Sequence, residues 1–155
     1  MGAELTGRTI AAEAGLVERT VSFTKGCYTG QELVARLDAR GSKVARRLVG
    51  IVAPAGPPPG AGDGGTAGTG ALARGMTLHA GDAPPGDGAV DDKVVGTVTS
   101  AAWSAELRSW VALGYLHRSV EAPGPLRVRS GDGLGGSRPV RVEPLPLAVP
   151  DRLPG

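Results

Sequence analysis

Short apolar runs, separated for the most part by clusters of Gly, Pro and Asp, constrain this chain more than any other feature. They lie at 47–52, 76–79, 94–99, 110–116, 126–129 and 140–143. Runs this short, rich in Val, Leu, Ile and aromatic residues, read as strands, because such side chains pack well on a pleated surface and a helical period needs about ten residues to show. Gly81-Asp82 and Gly131-Asp132-Gly133 supply turns between runs. No helical pattern interrupts them and no internal repeat is present. The pattern predicts an antiparallel sandwich or a small barrel.

Between the first two runs, 54–70 has 11 Gly or Pro in 17 residues and no large apolar side chain, the composition of a mobile insertion. The segment 144–155 carries Pro at 144, 146, 150 and 154, which denies a ladder its N–H donors, so it is expected to be a disordered tail. With 26 Gly and 13 Pro among 155 residues, the foldable part supports only a modest core.

The one convincing helix lies in residues 1–47. Thr29-Gly30-Gln31-Glu32 fits a capping box with Thr29 as the cap. Leu33, Val34 and Leu37 give an apolar face, and Gly41 closes the helix after Arg40. Seventeen Lys and Arg against 15 Asp and Glu leave +2, too little to argue for nucleic acid or an anionic membrane. One Cys cannot form an internal disulfide, and no apolar run approaches a membrane span, so the cytoplasm is the expected compartment.

That cysteine, Cys27, has neighbours that favour its thiolate. It precedes the positive end of the helix dipole, Lys25 is two residues away, and Gly26 and Gly30 leave the backbone open to a ligand. Without those neighbours a lone cysteine reads as a small buried hydrophobe.

The string Lys25-Gly26-Cys27-Tyr28-Thr29-Gly30-Gln31-Glu32 closely resembles the signature of the YgfZ family of folate-binding proteins, relatives of the glycine-cleavage aminomethyltransferase that maintain iron–sulfur enzymes. Further segments are similar in the expected order: Thr9-Ile10 with Glu13 and Gly15-Leu16, then Arg46-Arg47-Leu48-Val49-Gly50, Val95-Gly96-Thr97-Val98-Thr99 and Ala112-Leu113-Gly114-Tyr115. The resemblance implies an α+β chain: 1–47 as the end of a GcvT-like folate-binding domain, then a small antiparallel β-barrel over 48–143. It also implies a further domain ahead of Met1, an N-terminal half supplied upstream, that would hold most of a tetrahydrofolate pocket.

By the same resemblance Cys27 and Lys25 are the functional pair, with Gly26, Tyr28, Gly30, Gln31 and Glu32 shaping the turn. Glu13 aligns with a carboxylate that grips the pterin in the aminomethyltransferases. A carboxylate suits that task because it can accept two parallel N–H bonds from the ring. Ala11 stands where the family usually has Pro, and Lys43 is a weaker folate contact. The implied function is a folate-binding accessory protein of iron–sulfur cluster assembly or repair, whose partners are iron–sulfur client or assembly proteins. The alternatives are a tetrahydrofolate-dependent aminomethyltransferase and a non-catalytic barrel that binds a partner chain.

Other features read as structural. Arg36, Arg40, Lys43, Arg46 and Arg47 read as a solvated face running into a strand, with no interleaved aromatic platform for single-stranded nucleic acid. The glycine pattern at 131–136 opens no helix and reads as a turn. His79 and His117 lack the spacing of a zinc site. Trp103, Trp110 and Tyr115 are expected in the β core. A segment such as 1–47, separated from the domain it packs on, is expected to expose a contiguous apolar patch.

Overall fold

A computed structural model describes residues 3–41, 43–56, 58, 71–80, 93–130 and 136–147. Six strands close into an antiparallel barrel: β1 (Arg46–Val52), β2 (Thr77–His79), β3 (Val94–Ser104), β4 (Ser109–His117), β5 (Gly124–Arg129) and β6 (Arg138–Glu143). Their order around the barrel is β1-β4-β3-β2-β5-β6, with β6 returning to β1. Each strand coincides with one of the expected runs. Closure pairs every edge, which resolves the sandwich-or-barrel alternative in favour of the barrel.

Register decides which side chains face inward. Ile51 opposes Val142, Leu78 opposes Val128, and Leu126 opposes Val140. Ile51, Leu78, Leu116, Val49, Val98, Val128 and Val142 are wholly buried. Each stabilises the fold by about 1.5–3 kcal/mol relative to exposure. Inward and outward positions alternate along β5 and β6, as a pleat requires when only one face is buried.

Gly114 of β4 sits where β3 and the core leave no room for a side chain. A Cβ there would lie 2.7 Å from the Thr97 carbonyl oxygen and 2.8 Å from Cδ1 of Ile51.

Two expectations about aromatic residues and helices change. Strand β3 runs on to Ser104, beyond the expected end at Thr99, and places Trp103 directly opposite Trp110. The two indoles meet edge to face with centroids 6.2 Å apart, both half-buried, so of the three expected core aromatics only Tyr115 is buried. The helix α2 spans Gln31–Ala39 and is capped by Gly30, not Thr29. Gly30 adopts φ 87°, a left-handed conformation that glycine takes without steric cost, and no side chain caps the end. Glu32 pairs instead with Arg36 one turn on. Gly41, at φ 72°, ends the helix as expected. A short helix, α1 (Val17–Thr20), had no sequence expectation.

Of the proline-rich 144–155 segment, residues 144–147 are described, and Leu147 lies against Gly50 of β1. Residues 148–155, the insertion at 57 and 59–70, and the glycine turn at 131–135 lie outside the described residues.

Candidate functional site

Backbone and side-chain hydrogen bonds tie the residues before the barrel to it. Leu48 donates its backbone N–H to the Glu13 carbonyl at 2.8 Å, Arg118 donates its own to Ala45 at 3.0 Å, and the Tyr115 hydroxyl donates to the Glu4 carbonyl at 2.9 Å. The Glu4 carboxylate accepts from the Thr99 hydroxyl at 3.1 Å. Glu4 is held below the usual carboxylate value, chiefly by a hydrogen bond from the Ser100 side chain, which outweighs the opposing effect of burial.

Helix α2 buries none of its residues fully. Its apolar face, the stretch at residues 9–12 and Val17 of α1 line an open cavity of about 300 Å³. Ile10, Val17, Phe23, Leu33, Val34 and Leu37 form the greasy wall, with Thr9, Thr29 and Asp38 as polar groups. Phe23 and Leu33 remain 57% and 49% exposed.

The Gly26-to-Glu32 stretch gives this cavity one edge. Tyr28, Thr29 and Gly30 line it, and Gln31 donates its N–H to the Tyr28 carbonyl at 3.2 Å to form the turn. Cys27, the next residue back, is exposed and three positions before the helix cap. Lys25 holds its ammonium 4.7 Å above the Tyr28 ring, a cation–π contact that orders the motif from within.

Residues 73–147 match the family described as the glycine cleavage T-protein C-terminal barrel domain. The chain is 33% identical over 129 residues to the tRNA-modifying protein YgfZ of Serratia proteamaculans (strain 568), covering 83% of this chain and 32% of that protein. To the protein of the same name from Pectobacterium carotovorum subsp. carotovorum (strain PC1) it is 31% identical over 131 residues, covering 84% and 32%. This is a YgfZ/GcvT-like C-terminal portion. Among solved structures, the glycine cleavage system aminomethyltransferase T from Bartonella henselae superposes with a TM-score of 0.59 at 18% identity, over 93% of this chain and 33% of that one. That likeness shows the fold. The chain spans about a third of the length of the YgfZ relatives it matches.

The sequence-derived site residues fall into separate places. Tyr28 and Gly30 line the cavity, whereas Glu13, Lys25, Cys27 and Lys43 are not among its lining residues. Glu13 turns its carboxylate to Arg46, whose Nε and Nη2 donate to Oε1 and Oε2 at 3.2 and 3.3 Å. Gln31 begins α2, Glu32 faces Arg36, Gly26 has open space around its Cα, and Lys43 is exposed.

Asp38 is the residue that sequence reasoning passed over. It is the charged group on the cavity wall, four positions after Val34 on the same helix face, and that spacing was the available signal. Flat heteroaromatic ligands suit a cavity of this volume with apolar walls and a few polar groups, so the residues present fit a pterin ring in size and lining. Among the described residues no cluster of His, Cys, Asp or Glu could hold a metal ion.

Proposed function

We propose that this chain belongs to a folate-binding accessory protein of iron–sulfur cluster assembly or repair, acting through the Cys27 thiol with Lys25 as its electrostatic neighbour. One observation carries the reading: a single motif supplies both an exposed thiol and the wall of an apolar cavity, because Cys27 directly precedes the lining residues Tyr28, Thr29 and Gly30. A tetrahydrofolate ring against that wall would lie beside the thiol.

The tRNA modification for which the relatives are named comes to this chain in the same indirect way. An accessory protein can be needed for a modification by sustaining the enzyme that performs it, without touching RNA. The cations Arg36 and Arg46 are engaged by Glu32 and Glu13, which supports that indirect role over a nucleic-acid surface. The expected partners are therefore iron–sulfur client or assembly proteins in the cytoplasm.

In a host lacking its own relative of this family, the wild-type gene should restore iron–sulfur enzyme activity and the Cys27→Ala gene should not. Equal rescue by both would remove the thiol from the mechanism.

A further inference from the structure

The barrel sorts its arginines by topology. Strands β1, β5 and β6 carry two Arg each and share a single acid, Glu143, while β2, β3 and β4 carry no Lys or Arg. The three Arg-bearing strands are neighbours in the order β5-β6-β1, so charge that nearly cancels along the sequence does not cancel on this side of the barrel wall.

The β5–β6 hairpin is the densest part. Leu126, Val128, Val140 and Val142 face the core, so Arg127, Arg129 and Arg141 share the outer face. Arg127 opposes Pro139 and Arg141 opposes Pro125. That register sets Arg127 and Arg141 on a diagonal about 7–8 Å apart. The exposed prolines beside them add no charge and no side chain long enough to cover a guanidinium.

Neutral groups hold Arg127 in place. Its Nε donates to the Ser137 hydroxyl at 2.6 Å and its Nη2 to the Ser137 carbonyl at 3.0 Å. Such bonds orient a guanidinium without cancelling its charge, and they do not exhaust its five N–H donors. Arg141 pairs with Glu143, but its side chain is 67% exposed, and an ion pair so open to water offsets little charge. Cations this close on one sheet face repel each other, a cost that a surface shaped only for stability avoids.

We propose that the outer face of the β5–β6 hairpin docks the acidic surface of a partner protein. This rests on the accessory-protein reading for the partner being a protein, and it adds where that partner sits and what charge it presents. A carboxylate takes two parallel N–H bonds from an arginine fork, and Arg is enriched at protein interfaces. A firm grip on a nucleic-acid backbone draws on about 6–10 phosphate contacts, more than three arginines supply. Strands β2, β5 and β6 also carry no aromatic ring on which a base could stack.

The test titrates the full chain with a decaglutamate peptide, followed by amide NMR. Shifts should fall on residues 125–129 and 138–143. Each arginine replaced in the double variant Arg127→Gln, Arg141→Gln should weaken binding by about two- to fivefold. Arg141→Gln alone, at the more exposed position, serves if the melting curve of the double variant shows misfolding. Shifts confined to α2, or variants that bind as tightly as wild type, would overturn the proposal. Transfer RNA bound at this face more tightly than the peptide at equal ionic strength would also overturn it, by assigning the arginines to phosphate.

In cells, the double variant should lose rescue of iron–sulfur enzymes while its Cys27 alkylates at the wild-type rate; full rescue would overturn the docking role. A wild-type gene that fails to rescue would instead overturn the accessory reading, and the peptide titration would still decide the proposal for this face.

Discussion

Tyr115 touches both the leading segment and the first barrel strand: its hydroxyl donates to the carbonyl of Glu4 at 2.9 Å, while its ring lies 4.6 Å from the Arg46 guanidinium carbon. A buried residue of β4 thus contacts both the leading segment and the cation that faces Glu13. Tyr115→Phe keeps the ring and deletes the donor. It should cost about 0.5–1.5 kcal/mol, with faster amide exchange concentrated in residues 4–9; a uniform change along the chain would place the loss elsewhere.

Glu4 gives the fold a pH dependence. Its carboxyl is held below its ordinary 4.5, mainly by the Ser100 side chain. A carboxyl depressed in the folded state stabilises the fold above its unfolded value, and that contribution disappears as pH falls through the folded one. Wild type should therefore melt higher than Glu4→Gln at neutral pH, and the two should converge as pH drops below 4.5. Parallel melting curves across that range would show that Glu4 contributes nothing.

Core and hairpin tip should respond differently to truncation. Leu116 is wholly buried, so Leu116→Ala should cost about 2–5 kcal/mol by chemical denaturation. Trp110 is half-buried, so Trp110→Ala should fall below the roughly 3–5 kcal/mol of a fully buried aromatic. A double-mutant cycle with Trp103 should return about 0.5–1.5 kcal/mol for the edge-to-face pair.

Gly114→Ala should destabilise by about 1–3 kcal/mol, because the added methyl meets the Thr97 carbonyl oxygen, part of a backbone that cannot swing aside. A melting temperature equal to wild type would mean that β3 and β4 can separate at no cost.

The barrel was legible in the sequence because its signals are local. Each strand is a short β-rich run, most of them bounded by turn residues, and the alternation at Leu126, Val128, Val140 and Val142 names the inward face. The extension of β3 to Trp103 was not, since Ser100, Ala101 and Ala102 have no strong preference and only pairing with β4 makes them strand. The cap moved from Thr29 to Gly30 because a capping box describes hydrogen-bonding capacity, while the left-handed turn at Gly30 is a backbone property that Thr29 does not reveal. The partner of Glu13 was out of reach for a further reason: Arg46 lies 33 residues away, and no spacing rule connects positions joined only by the tertiary fold.

The central claim is that one motif joins a thiol to a folate cavity. The chain has one cysteine, so its alkylation by iodoacetamide can be followed by mass without ambiguity. Saturating 5-formyltetrahydrofolate should slow that alkylation, because a ring lodged against Tyr28, Thr29 and Gly30 shields the neighbouring Cys27. An alkylation rate unchanged by ligand shown to be bound would contradict the account.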